Sequence, residues 1–232
     1  MESILITGSN RGLGLEWAEQ YAGAGWRVYA TCRHPEQADA LRMLASAYRN
    51  LTVHRLDVTR GEEIAALAAE LEGEAIDVLL NNAGVYFEKF VEERLDTVDY
   101  ANWEETLRVN CLGAMRVSAA FCKQVARSKR RLVVAITSHM GSIAEIGSPG
   151  DYAYRSSKAA LNAAMKGLSL ALQPQGIGVL LLHPGWVQTR MGGPGATITT
   201  RTSVTGMRKL VENFQLGDTG HFYRFDGSTI PW

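Results

Sequence analysis

Short apolar runs rich in Val, Ile and Leu recur at 4–7, 27–31, 51–56, 76–80, 131–137 and 177–183, each flanked by Gly, Asn, Asp or Ser. Within most of them apolar positions are consecutive rather than alternating, which is how strands buried on both faces read. Stretches of helical period lie between them, at about 12–24, 35–49, 60–72, 98–127 and 152–172. Parallel strands need long, right-handed crossovers, and a helix of this length supplies one. The alternation therefore predicts an α/β protein with a doubly wound, mostly parallel sheet flanked by helices on both faces. A short helix near 203–213 and a last strand near 221–225 follow, and Asp226-Gly227 turns the chain into its tail.

With 232 residues, one α/β domain is expected over 1–232, and two full domains would be cramped. Apolar residues at 46 % and charged residues at 21 % are globular proportions, against disorder. The 24 basic and 24 acidic side chains cancel, which speaks against nucleic acid as a partner because phosphate-backbone binders carry basic excess. No stretch approaches the roughly 20 apolar residues of a membrane helix. No basic segment followed by a long apolar core opens the chain, so no signal peptide is expected. Cys32, Cys111 and Cys122 show neither disulfide pairing logic nor metal-ligand spacing, so a reduced, cytoplasmic setting without a metal is expected. The one irregular stretch is 185–205, with Gly192, Gly193, Pro194, Gly195 and many Thr and Ser. It is either a surface loop or, over 190–205, a lid above a site.

The first predicted strand runs into Thr7-Gly8-Ser9-Asn10-Arg11-Gly12-Leu13-Gly14 and then a helix. Glycines there let backbone N–H groups approach a pyrophosphate, and the helix N-terminus favours the anion. The spacing is GxxxGxG rather than GxGxxG, and taken alone it also suits an ordinary tight turn. After the second strand an NAD site offers an acid to the ribose hydroxyls. Here stands Thr31-Cys32-Arg33, with no acid before Glu36. Arg33, helped by Arg11, suits a 2′-phosphate and so NADP over NAD, though solvated arginines are common. Asp57, closing the third strand, suits either the adenine amino group or an N-cap near Thr59. Asn81-Asn82-Ala83-Gly84 closes the fourth strand with a turn able to pack on a nucleotide, although Asn-rich turns also occur without ligands.

Tyr154 and Lys158 fall four residues apart on one helix face, and Thr137-Ser138 ends the fifth strand at the sheet's carboxyl edge. A phenol titrates near 10, so it needs a nearby positive charge before it acts as a base at neutral pH; Lys158 is placed to supply one.

Together these residues resemble the short-chain dehydrogenase/reductases, a family of Rossmann-type folds. Thr7-Gly8, Gly12 and Gly14, Asp57, Asn81-Asn82-Ala83-Gly84, Asn110, Ser138, Tyr154 with Lys158, and Pro184-Gly185 stand in that family's order and spacing over essentially the whole chain. The stretch 183–189 and the tail 223–232 look like the C-factor and sniffer-type carbonyl reductase branch.

The resemblance implies an NADP(H)-dependent oxidoreductase that reduces a ketone, aldehyde or quinone. Tyr154 would be the general acid, Ser138 the oxyanion donor, and Lys158 the cation that lowers the tyrosine's pKa and holds the nicotinamide ribose. Asn110 would hold a water linking Lys158 to solvent. Gly8, Asn10, Arg11, Gly12, Leu13, Gly14, Arg33, Asp57, Val58, Asn82, Ala83, Gly84, Pro184, Gly185, Val187 and Thr189 would meet the cofactor, along with Tyr154 and Lys158. His139, Met140, Tyr152, Trp186 and Met191 are pocket candidates that core packing explains as well. Small residues on the 152–172 helix, with family habit, imply a homodimer or homotetramer. A dinucleotide-sensing or signalling role, or an NAD-dependent alcohol dehydrogenase, are the competing readings, since fold alone does not give function.

Overall fold

The computed structural model describes residues 1–89 and 96–232. Its strands are β1 (Ser3–Ile6), β2 (Arg27–Cys32), β3 (Leu51–Arg55), β4 (Val78–Asn81), β5 (Leu132–Ile136), β6 (Gly178–His183) and β7 (Phe222–Arg224). Between them lie α1 (Gly12–Gly23), α2 (Asp39–Ala47), α3 (Gly61–Glu70), α4 (Tyr100–Leu107), α5 (Ala114–Arg127), α6 (Tyr152–Leu172) and α7 (Thr200–Glu212). The strands join in the order β3-β2-β1-β4-β5-β6-β7, and every pairing is parallel.

Consecutive strand residues point to opposite faces, and both faces are covered. Leu5, Leu79, Val133 and Leu181 enter one core with Phe121 of α5 and Leu161 and Met165 of α6. Their neighbours Ile4, Ile6, Leu80, Val134 and Leu182 enter the other, with Trp17 and Tyr21 of α1 and Met207 of α7. The central strands β4, β5 and β6 are buried along their whole length, which is why their apolar runs are nearly continuous, whereas the edge strand β3 carries exposed Thr52 and Arg55. The chain winds outward from β1 to β3 and then returns to place β4 on the other side of β1. At this switch point the helices that follow β1 and β4 leave for opposite faces of the sheet, and a crevice opens at the strands' carboxyl ends.

Three helices depart from the periodicity. Pro35 opens a 3₁₀ turn, Pro35–Gln37, so α2 begins only at Asp39. The long 98–127 period is two α-helices joined by a π-helical segment, Arg108–Gly113. At Gly113 a Cβ would stand 2.7 Å from Val58 Cγ2, so the segment's exit lies against the Val58 side chain with no room for one of its own. α7 starts earlier than its apolar period because the Thr199 hydroxyl accepts the Thr202 N–H (3.1 Å) and caps it.

Candidate active site

The loops after β1 and β4 are stitched together by Thr7. Its hydroxyl accepts the N–H groups of Asn82 (2.9 Å) and Ala83 (3.0 Å), while Asn82 Nδ2 donates to the carbonyls of Thr7 and Gly8. Gly14 sits where any side chain would collide: its Cβ would stand 2.2 Å from the Gly8 carbonyl and 2.6 Å from Asn82 Nδ2. Gly12 has φ +56, and its Cβ would be 3.3 Å from Thr189 Cγ2. α1 begins here with no side chain capping its free N–H groups and no acid in its first turn. A bare glycine cradle and an uncapped helix N-terminus are features that could hold a phosphate-bearing group.

The cradle is the middle of a cleft of about 800 Å³. Of the residues singled out in the sequence, Gly8, Asn10, Arg11, Gly12, Leu13, Gly14, Arg33, Asp57, Val58, Asn82, Ala83, Gly84, Tyr154, Lys158, Pro184, Thr189 and Met191 line it. At one end stand Arg11 and Arg33, joined by Arg190, which sequence pattern did not single out. Partial burial and the charges of Arg190 and Arg33 pull the Arg11 guanidinium below its ordinary value. Three cations crowded at a cleft end are an environment that an anionic ligand relieves.

Asp57 does not cap α3; Arg60 occupies that position. Its Oδ1 instead accepts the Thr59 hydroxyl (2.7 Å) and N–H (2.9 Å), closing a local turn. Burial pushes its carboxyl up, but these bonds, with Arg33 and Arg60, outweigh burial and hold it below the usual range.

At the other end α6 brings in Tyr154 and Lys158, both buried. Lys158 Nζ lies 5.7 Å from the Tyr154 ring centre and donates to the Ile136 carbonyl (3.0 Å). Burial pushes the Lys158 ammonium down to about 8. Burial also pushes the Tyr154 phenol up to about 12; Ser138 acts against that shift, and Glu88 and Asp151 add to it. Ser138 follows β5, and its Oγ accepts the Met140 N–H (3.1 Å). Asn110 sits in the π-helical segment. Its Nδ2 donates to the Val85 carbonyl (2.9 Å) and Ser157 Oγ (3.0 Å), and its Oδ1 accepts the Val85 N–H (2.8 Å). Gly84 brings the Asn-rich turn alongside: its Cβ would be 3.3 Å from Asn110 Oδ1 and 3.7 Å from Lys158 Nζ.

Other candidates stand elsewhere. Val187 is buried and bridged to Ile198, and a Cβ at Gly185 would meet Ile198 and Phe225. Tyr152 stacks on Trp103 of α4, ring centres 6.3 Å apart, and is not on the cleft wall. His139 turns toward Glu145 (3.6 Å) and the ring of His183 (4.8 Å between centres), and Met140 beside it is half-buried. Trp186 is about half exposed, and its Nε1 donates to the Gly192 carbonyl (2.7 Å), folding 186–198 on itself. Among the described residues no three His, Cys, Asp or Glu side chains gather to hold a metal ion, and no helix is long and apolar enough to cross a membrane.

Beyond Arg190, the sequence also left unmarked Tyr86, Phe87 and Lys89, which wall the cleft near Tyr154. Nothing in their spacing points to that location; the topology brings them there.

A doubly wound sheet with a phosphate cradle at its switch point and a buried Tyr–Lys pair beyond it defines a dinucleotide-type oxidoreductase architecture. The short chain dehydrogenase family profile matches residues 2–197, and the chain belongs to that family of oxidoreductases. The C-signal protein of Myxococcus xanthus is 43 % identical over 157 residues, covering 68 % of this chain and 93 % of that protein. The structure of an NADPH-bound carbonyl reductase from chicken fatty liver superposes with a TM-score of 0.93 at 31 % identity, covering 100 % of this chain and 99 % of that one. The carbonyl reductase Sniffer of D. melanogaster gives 0.92 at 34 % identity, covering 100 % of both chains.

Proposed function

We propose that this protein is an NADP(H)-dependent carbonyl reductase. The observation that carries this reading is a single cleft with three arginines at one end and a buried Tyr154–Lys158 pair at the other. The glycine cradle, where a Cβ at Gly14 would stand 2.2 Å from a carbonyl oxygen, fits a dinucleotide's pyrophosphate. Arg11, Arg33 and Arg190, with no acid at the end of β2, suit a 2′-phosphate, and that chemistry favours NADP(H) over NAD(H). Gly84, Lys158 and Thr189 would border the nicotinamide half, and the bound cofactor supplies the hydride.

The chain's own part is the proton. Tyr154 is protonated at neutral pH, as an ordinary phenol is, and burial raises its phenol further, to about 12, so the proton is held in place until charge develops on a carbonyl oxygen beside it. The Ser138 hydroxyl donates a second hydrogen bond to the same oxygen. Lys158, cationic at neutral pH, stabilises the phenolate left behind. Asn110 spends both N–H donors on Val85 and Ser157, so its first effect is to pin the β4 loop to α6. A water joining Lys158 to solvent would use the lone pair of Oδ1 that remains.

The relationship to a protein named C-signal favours a second, signalling reading. A signalling scaffold has no need of Asn110, Ser138, Tyr154 and Lys158 together, so the reductase reading is preferred. Its test is NADPH consumption against an aromatic aldehyde, a diketone and a quinone, with NADH for comparison. Turnover that prefers NADPH is expected; tight NADPH binding with no turnover of any carbonyl would favour the signalling reading.

A further inference from the structure

The first turn of α6, which carries Tyr154, is held by a different part of the chain. Asp151 is the N-cap position of α6, yet its side chain makes no cap bond, and its backbone is left-handed at φ 54. The Tyr86 hydroxyl instead donates to Asp151 Oδ1. The cap that α6 lacks comes from the same loop, because Glu88 Oε1 accepts the N–H of Tyr154 itself. Between these two tethers the Tyr86 ring lies flat on the Tyr154 ring, centres 4.1 Å apart and planes inclined by 16°.

A buried phenol with a free ring face rotates and admits water on that side. Here the face is covered by an aromatic ring that is itself fixed at its far end by a carboxylate. A left-handed backbone at a residue other than glycine is sparsely populated and persists where surrounding contacts over-determine it. The tether to Tyr86 is such a contact.

We propose that Tyr86 is a positioning residue: anchored by Asp151, its ring fixes the orientation of the Tyr154 ring and closes its outer face to water. The inference rests on the reading of Tyr154 as the proton donor. It adds that the β4–α4 loop, and not only α6, sets the geometry of proton delivery. The charged and titratable groups facing Tyr154 are Glu88 and Tyr86 from that loop, Asp151 just before α6 and Lys158 within it, and the neutral Ser138 hydroxyl faces it from just after β5.

The test compares wild type, Tyr86→Phe, Tyr86→Leu and Tyr154→Phe, each checked for thermal midpoint and NADPH binding. Tyr86→Phe keeps the stack and loses the tether; Tyr86→Leu loses both. Misplacement of a reacting group by about an ångström costs up to roughly a hundredfold in rate, so Tyr86→Leu is expected to lower kcat at least about tenfold with KM for NADPH little changed. Tyr86→Phe should recover most of that loss. Ring-labelled tyrosine NMR, with the Tyr154 signal identified by its absence in Tyr154→Phe, supplies a readout independent of turnover. Opening the ring face to water should start the Tyr154 titration at lower pH in Tyr86→Leu than in wild type. A merely structural role would lower thermal midpoint and kcat together and leave the titration in place, which overturns the proposal, as would a Tyr86→Leu protein with wild-type kcat. Full activity in Tyr154→Phe would instead defeat the underlying reading of Tyr154, and the positioning role with it.

Discussion

At the scale of single residues, the cleft is divided by charge. Arg11, Arg33 and Arg190 crowd one end, where Asp57 feels the charge of Arg33, and the Arg11 guanidinium already sits below its ordinary value, through burial first and its neighbours second. Such a cluster is relieved by an anion. Arg33→Ala is therefore expected to weaken NADPH binding by about 1–3 kcal/mol, the range for a lost charged hydrogen bond, while NADH binding barely changes. Titration by fluorescence or calorimetry checks this, and equal losses for the two cofactors would make Arg33 structural. Arg33 was legible because the residue after the second strand has a known role in such sheets. Arg190 was not, because a cation inside a Gly- and Thr-rich loop has no fixed direction until the loop folds. The same limit applied to Tyr86: its neighbours in sequence, a turn and an acid, say nothing about Tyr154 lying against its ring.

At the scale of elements, the apolar runs marked the strands closely because both faces of the central sheet are buried under helices and take mostly apolar side chains. Helix ends were harder to read. The 98–127 period carries one continuous apolar face, yet the backbone widens to a π-helix at Arg108–Gly113, where the Asn110 side chain spans to Val85 and Ser157. Hydrophobic period does not register such a local change in hydrogen bonding. The junction of β1, α1 and the β4 loop has the tightest packing at the cradle. Gly14→Ala would force a Cβ to within 2.2 Å of the Gly8 carbonyl. Overpacking of this kind costs about 1–3 kcal/mol, so the thermal midpoint should fall, and NADPH affinity should fall further because the cradle itself must open. An alanine variant with unchanged affinity would mean that the cradle does not hold the cofactor.

At the scale of the whole molecule, stability should carry the signature of a buried neutral imidazole. His183 ends β6 beside the ring of His139, and burial, then His139 and Arg224, push its pKa down to about 3. Unfolded, it titrates near 6.5. Its contribution is thus present above about pH 6.5 and is lost as pH falls toward 3, because the unfolded chain binds the proton more readily. Between pH 7 and pH 5 the thermal midpoint of wild type should drop more steeply than that of His183→Gln; parallel slopes would mean that His183 charges without leaving its site.

The central claim is that one cleft joins a 2′-phosphate end to a proton-donating tyrosine. Its most direct measurement is NADPH consumption by wild type and Tyr154→Phe side by side on the same carbonyl panel, with NADPH affinity measured for both. The account predicts turnover by wild type and near-complete loss in Tyr154→Phe, with NADPH still bound. Comparable turnover by the two proteins would contradict it.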